Sequence, residues 1–492
     1  MSRSLSVSDV VRGGFWLYAS SIVNNVFGFI YWSVISRIGG STIIGLTSAT
    51  IGLASLVIGV LALGTPIGLQ RFLGRERRNL ENLARYFWST ASFLFILYLT
   101  SSTILYFLGC IGFSFSSFRP EMFRVAALIV LLGFSAAFNS LLVSMLRTDV
   151  LFFATLIGNV LKLVVGVMLV LLGFGWIGAA LGYVMVNGSM VVVGLLYAVR
   201  NIGFKLTINF DRIREVLVAG LANWLPGLIV LLGNWIGVLA VFGTSGAIET
   251  GYYYIAFVIS NFILAIGTCM LRLLLPVLSG LEDGRKRASY QVLRIALSLV
   301  SPIAVIIAIY PYLLLGLLGK EYIAASTTLT VLLLSAFSLL PTVAIYNLVY
   351  AYGWYRDVLV IGLLQNIPRL ILYYLLTPMY GGLGTAIAYT IGSYIGLVYV
   401  VYLVFRIRYY VDYHGIGLTI SIPVILAILV YVARLPWYIG GLILLLSYLA
   451  YTRLGILTRR DLRIILEAFI SRKKIDEVYS RFRSIIDFLI PY

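Results

Sequence analysis

Lys162 and Arg369 are the side chains best placed to do chemistry, because each stands inside a long apolar run. Each also follows an asparagine by three residues: Asn159 precedes Lys162, and Asn366 precedes Arg369. In a helix that spacing puts amide and cation on one face. A charge at the centre of a membrane helix costs about 2.5–3.5 kcal/mol on insertion scales, so it is kept for a reason. One reason is structural: the side chain snorkels, or bonds backbone carbonyls as a packing relic. The other is functional: the two cations line a wet central space that takes an anionic group. Arg272 and Arg37 are further cationic candidates. Arg272 is also placed to snorkel, and Arg37, closing the first run, reads equally as an interfacial anchor. Asn24 and Asn25 are the polar groups of the first run, and with Asn159 and Asn366 they complete the supporting set.

The acids inform by position. All 18 carboxylates fall in loops, run ends or the C-terminal tail. A proton- or sodium-coupled exporter needs a carboxylate within the membrane as ion ligand; here Asn24 and Asn25 offer at best a weak hydrated ion site. Asp149 and Asp357 sit beside Arg147 and Arg356 at hairpin tips, where local ion pairs are expected. Glu121, Glu249 and Glu321 lie in three separate segments, so the paired acids of a metal-dependent membrane glycosyltransferase are missing. His414 is the sole histidine and reads as a loop residue; Cys110 and Cys269 are the only cysteines. Neither a metal cluster nor a disulfide framework is expected from them. There is no GxxxxGK[ST] phosphate loop, and no cofactor is expected.

The elements that must carry these residues follow from composition. Of 492 residues, 61% are hydrophobic and 11% charged, and mean hydropathy is +1.03. Soluble domains are nearer 45–50% apolar and about 25% charged, so a water-soluble enzyme is excluded. About 20 apolar residues cross a bilayer as a helix. About fourteen such runs are readable: 14–36, 42–64, 87–109, 123–146, 152–173, 175–199, 216–242, 251–277, 294–318, 326–350, 357–376, 381–405, 417–433 and 436–452. A short polar stretch precedes them, and the first run, with no small-residue cleavage site after it, reads as a start-transfer helix that stays in the protein.

Charge orients the runs. With the N-terminus in the cytosol, 28 of the 36 Lys and Arg fall in cytosolic segments and 5 in outer ones. This positive-inside bias places both termini in the cytosol of a plasma-membrane protein. It also accounts for most of the +18 net charge without invoking nucleic acid. From 459 to 489 basic residues alternate with an apolar stripe, as in helices lying on the cytosolic leaflet.

The chain also repeats itself. Gly175-Trp-Ile-Gly-Ala-Ala-Leu-Gly-Tyr183 returns as Gly381-Gly-Leu-Gly-Thr-Ala-Ile-Ala-Tyr389, and Leu61-Ala-Leu-Gly-Thr65 returns as Leu264-Ala-Ile-Gly-Thr268. Asn159-Val-Leu-Lys-Leu163 matches Asn366-Ile-Pro-Arg-Leu370. Repeats of this kind imply two homologous six-helix lobes, 14–199 and 216–405, joined by a cytosolic linker, 200–215. Two helices (417–452) and the cytosolic tail (453–492) follow. Six is even, so the lobes are parallel, related by rotation about an axis along the membrane normal. Transporters built this way bind substrate between their halves, near mid-membrane.

Val34-Ile-Ser-Arg-Ile-Gly-Gly40 with Gly45, and Gly64-Thr-Pro-Ile-Gly-Leu-Gln-Arg-Phe72, resemble the start of Wzx-type polysaccharide flippases. Their superfamily also holds multidrug and toxin extrusion exporters and peptidoglycan precursor flippases. The resemblance implies alternating access around a V-shaped, often cationic cavity, with a lipid-linked oligosaccharide as cargo. Arg37, Lys162, Arg272 and Arg369 are then its cationic lining. Membrane lipids and the lipid-linked glycan are the implied partners, and glycan polymerases or transferases fit beside them. A small-molecule exporter of the same fold is the rival; a cationic drug would meet like charge.

Overall fold

The computed structural model describes residues 7–77, 79–204, 208–272, 284–409, 412–458 and 461, and the protein is an all-α polytopic membrane protein. Nine of its helices among the described residues are long and apolar enough to cross a bilayer. Four of them, Gly14–Leu61, Thr148–Ile202, Trp224–Leu271 and Tyr355–Arg406, hold 48 to 55 residues. At 1.5 Å per residue even the shortest of these would reach about 72 Å, over twice the thickness of the hydrocarbon core. Each is broken at glycine. Gly40 (φ 70°, ψ −179°) and Gly246 (φ 78°, ψ −171°) share one conformation. Gly175 (φ 53°, ψ −133°) and Gly381 (φ 56°, ψ −133°) share another. Only glycine takes up these positive-φ states without steric cost, so its placement fixes where the long helices turn.

Three expected runs are interrupted, the run 326–350 by a turn at Ser335 between Ser326–Leu334 and Ala336–Ala351. The run 123–146 divides into Pro120–Leu131 and Ser135–Ser144 around a 3-10 turn at Leu132–Phe134. The run 294–318 ends as Arg285–Ile309, and Pro311–Leu318 forms a separate helix. Pro311 has no N–H to donate and pushes Tyr310 out of helical geometry, which ends the first helix. The last two runs are the helices Tyr413–Val432 and Trp437–Arg453. His414 is therefore in a first helical turn and not in a loop: Asp412 caps that turn by accepting from Gly415 N at 3.0 Å. The expected amphipathic tail lies outside the described residues except for its beginning. There Asp461 is buried and accepts from Arg294 at 2.5 Å and Gln291 at 3.1 Å, both on Arg285–Ile309.

The helices gather into two compact units. The first runs to Ile259 and includes Leu315–Thr328 and Gly362–Gly392; the second comprises Ser260–Leu314, Leu329–Ile361 and the chain from Ser393 onward. The first unit holds Asn24, Asn25, Arg37, Asn159, Lys162, Asn366 and Arg369.

Candidate functional site

Lys162 lies on the helix Thr148–Leu169 and is 4% exposed. Its ammonium sits 5.3 Å from the ring centroid of Tyr31 and 5.5 Å from that of Tyr183. Tyr31 is held by donating to Ala179 O at 2.5 Å. Its ring occupies the space left by Gly166, where a Cβ would come within 2.6 Å of the tyrosine oxygen. One turn before Lys162, Asn159 donates from Nδ2 to Asn24 Oδ1 at 2.7 Å and to Thr155 O at 2.9 Å. Both partners are acceptors, so the amide orientation is settled. Asn159 Oδ1 then points away, buried, with no donor among the described residues.

Arg369 repeats this arrangement on the helix Tyr355–Arg406, at 2% exposure. Its guanidinium carbon lies 3.9 Å from the ring centroid of Tyr389. Nη1 donates to Asn366 Oδ1 at 3.0 Å, and Asn366 Nδ2 donates to Gly362 O at 2.9 Å. Tyr183 and Tyr389 close the two copies of the glycine-rich repeat, so each cation rests on the same tyrosine of its own copy. The helix Phe210–Arg272 meets this second group at Gly233, whose carbonyl accepts from Tyr373 at 2.9 Å.

Aromatic rings lead from one cation toward the other. Tyr31 contacts Trp32 (5.4 Å between centroids), and Trp32 contacts Tyr254 (4.9 Å). Beside Tyr254, Tyr253 stacks on Phe257 (5.9 Å), and Phe257 meets Tyr389 (5.6 Å). A buried cation costs several kcal/mol in desolvation. Each desolvated cation–π contact returns about 2 kcal/mol, and a hydrogen bond from a charged donor about 1.5–3 kcal/mol. Arg369 has both kinds of partner. Lys162 has rings alone: it makes no ion pair and no hydrogen bond to the described residues.

The other candidates are placed elsewhere. Arg37 is exposed and donates from Nε to Leu317 O at 2.6 Å. With Ser41 N, which donates to Glu321 at 2.8 Å, it ties Leu315–Thr328 to the Gly40 break. Asn25 donates to Ser21 O within its own helix. Arg272 ends the helix Phe210–Arg272, and its side chain lies outside the described residues. Of the acids, Asp149 pairs with Arg147 at 3.0 Å, as the spacing suggests. Asp357 does not pair with Arg356. It accepts from Tyr399 at 2.7 Å and Arg406 at 3.2 Å, because consecutive residues of a helix point to different faces. Among the described residues no group of three His, Cys, Asp or Glu converges to hold a metal. Sequence reasoning passed over the tyrosines. Tyr183 and Tyr389 carried a signal, since both end the repeat; Tyr31 carried none.

The profile of the family "Polysaccharide biosynthesis protein" matches residues 49–327. Solved structures with the same fold include "Lipid II flippase MurJ, inward closed conformation" (TM-score 0.71, 16% identity, 91% of this chain and 99% of that one). An inward-facing multidrug resistance MATE family transporter of the MOP superfamily aligns at TM-score 0.59 and 16% identity, over 83% of this chain and 96% of its own. A MOP superfamily transporter from Pyrococcus furiosus, described as having a binding pocket of reverse polarity, aligns at TM-score 0.53 and 17% identity, over 81% and 95%. No curated protein matches the sequence.

Proposed function

Since the chain belongs to the polysaccharide biosynthesis protein family, we propose that it is a flippase for lipid-linked oligosaccharide. It carries a polyprenyl-phosphate or polyprenyl-pyrophosphate glycan from the cytosolic to the outer leaflet by alternating access. The observation that carries this reading is the pair of buried cations, Lys162 and Arg369, at matching positions of the repeat. A phosphate head group cannot enter hydrocarbon unaided, whereas a cation within the membrane offsets its desolvation and leaves the polyprenyl tail in lipid. The likeness to a lipid II flippase supports a lipid-linked cargo, and we read the protein as a transporter without catalytic chemistry. We read each of the four broken helices as two spans and Trp437–Arg453 as a further one, which makes fourteen. Two parallel six-helix lobes, with both termini in the cytosol, complete the reading.

The likeness to multidrug transporters keeps a cation-coupled exporter as the alternative, and the cargo separates the two. In a deletion strain, extracted lipids should contain a lipid-linked sugar accumulated on the cytosolic face. Lys162→Ala should fail to clear it at unchanged protein abundance. A deletion strain with normal lipid-linked sugars but heightened sensitivity to cationic dyes would establish the exporter instead.

A further inference from the structure

Glu121, Glu249 and Glu321 stand apart in the sequence, yet two of them do the same thing in the fold. Glu321 accepts from Ser41 N at 2.8 Å and from Ser41 Oγ at 3.2 Å. Glu249 accepts from Gly382 N at 3.1 Å. Ser41 directly follows the break at Gly40, and Gly382 directly follows the break at Gly381. Each acid therefore holds the first turn of the half-helix beyond a break, where free N–H groups and the helix dipole favour a carboxylate. The approach is alike too. A Cβ on Gly40 would lie 3.1 Å from Glu321 Oε1, and one on Gly381 would lie 3.1 Å from Glu249 Oε1. The bare glycine lets each carboxylate in. The other two breaks have no such acid: a Cβ on Gly246 would meet nothing within 4 Å, and one on Gly175 would meet only Ile43.

The two caps belong to one series of contacts within the first unit. The carbonyl of the same Ser41 faces Gly251, where a Cβ would come within 2.1 Å of it. Gly251 lies two residues beyond Glu249 on the helix Phe210–Arg272. The order is thus Glu321, Ser41, Gly251, Glu249, Gly382, and it ties four helical segments together at one end. The segment carrying Glu321 is pinned on the near side of the Gly40 break as well. There Arg37 Nε donates to Leu317 O at 2.6 Å, and Ser36 Oγ donates to Leu318 O at 3.4 Å. Both acids stay within reach of water: Glu321 is exposed and Glu249 half-buried. A bond that water can replace is readily broken and remade, unlike a buried ion pair.

We infer that Glu249 and Glu321 form a latch. They close this end of the first unit by holding the half-helices after Gly40 and Gly381, and both must let go before it opens. This rests on the alternating access of the proposed function, with this end facing outward. It adds the groups whose release sets how often the outer end opens. Glu121 has no part in it: it pairs with Arg124 at 3.4 Å, and both are exposed.

The test uses the full chain in nanodiscs, where a hydrophilic maleimide reaches both faces. Two buried positions report. Ser48→Cys lies about two turns beyond the latch, on the half-helix that begins at Ser41. Thr65→Cys lies beside the contact of Gly64 with Gly220, at the opposite end. Native thiols are removed by Cys110→Ser and Cys269→Ala. Glu249→Gln and Glu321→Gln should each speed alkylation at Ser48→Cys by about fivefold, the scale of a carboxylate at a helix N-terminus. Together they should speed it by about 25-fold, since independent effects multiply. Alkylation at Thr65→Cys should not rise, Tm should hold, and Glu121→Gln should change nothing. Glu249→Asp and Glu321→Asp, one methylene short of the N–H, should act like the Gln variants and stand in for one that does not fold. Unchanged alkylation at Ser48→Cys in the double Gln variant would overturn the latch and leave the flippase reading intact. So would an equal rise at both reporters with a lower Tm, which would make the two caps part of the fold alone. A wild-type protein that never reacts at either reporter, with or without a lipid-linked sugar, would overturn alternating access and the latch with it.

Discussion

Substituting four glycines should separate the two conformations that alternating access requires. At Gly45 a Cβ would lie 1.8 Å from Ala247 O, and at Gly251 it would lie 2.1 Å from Ser41 O. At the other end of the same helices, Gly64 and Gly220 face each other, and a Cβ on either would lie 2.2 Å from the other's carbonyl oxygen. Backbones meet here without intervening side chains, as small residues allow in membranes. A Cβ needs at least 3.0 Å, so Gly45→Ala forces a local displacement of about 1 Å. Overpacking of this kind costs about 1–3 kcal/mol per site, so the double variant Gly45→Ala/Gly251→Ala should cost the closed contact about 2–6 kcal/mol. Alternative conformations differ by only a few kcal/mol. The population should therefore shift by roughly 30-fold to 10⁴-fold toward the state in which that end, proposed to face outward, is open. Gly64→Ala/Gly220→Ala should open the opposite end, with added strain at Gly64, where φ is +73°. Spin-label pairs flanking each end, read by pulsed distance measurement, report the shift directly. If both double variants keep the wild-type distance distributions at an unchanged Tm, the contacts bear no closing energy. If both merely lose Tm with no distance change, they hold the fold and are not part of a gate.

Other expectations follow from charge. A head group of charge near −2 gains roughly 4–5 kcal/mol on moving outward across 100 mV, negative inside. In proteoliposomes, flipping of a fluorescent polyprenyl-pyrophosphoryl sugar should respond to an imposed potential more than to a pH gradient, and a cationic dye should not move; proton-driven dye export without lipid movement would contradict this. The pair of buried Asp461 with half-buried Arg294, 2.5 Å apart, should show in a double-mutant cycle. Asp461→Asn or Arg294→Gln alone should destabilise by about 3 kcal/mol, with Asp461→Asn/Arg294→Gln costing less than the sum. Strict additivity in thermal unfolding would mean that the pair is not coupled.

Much of this protein is legible without coordinates, because the deciding physics is local. Apolar run length measures itself against bilayer thickness, so a polytopic all-α fold follows from composition and spacing alone. Asn159 and Lys162 share a helix face, as do Asn366 and Arg369, because three residues make nearly one turn. Gly175 and Gly381, which break two of the long helices, open the two copies of the repeat, since positive φ is a property of the residue and not of its neighbours.

What the tertiary structure decided is which partner each polar group finds. Lys162 and Arg369 are equivalent by repeat, yet only one meets the asparagine that precedes it by a turn. The difference involves Asn24, which engages Asn159 from 135 residues away, and Tyr31, which fills the gap beside Gly166. Asp357 likewise bypasses its neighbour for Arg406, 49 residues on. A buried polar group takes the partner that packing brings within about 3 Å. That distance is set by how helices lie against one another, and no spacing along a single helix contains it.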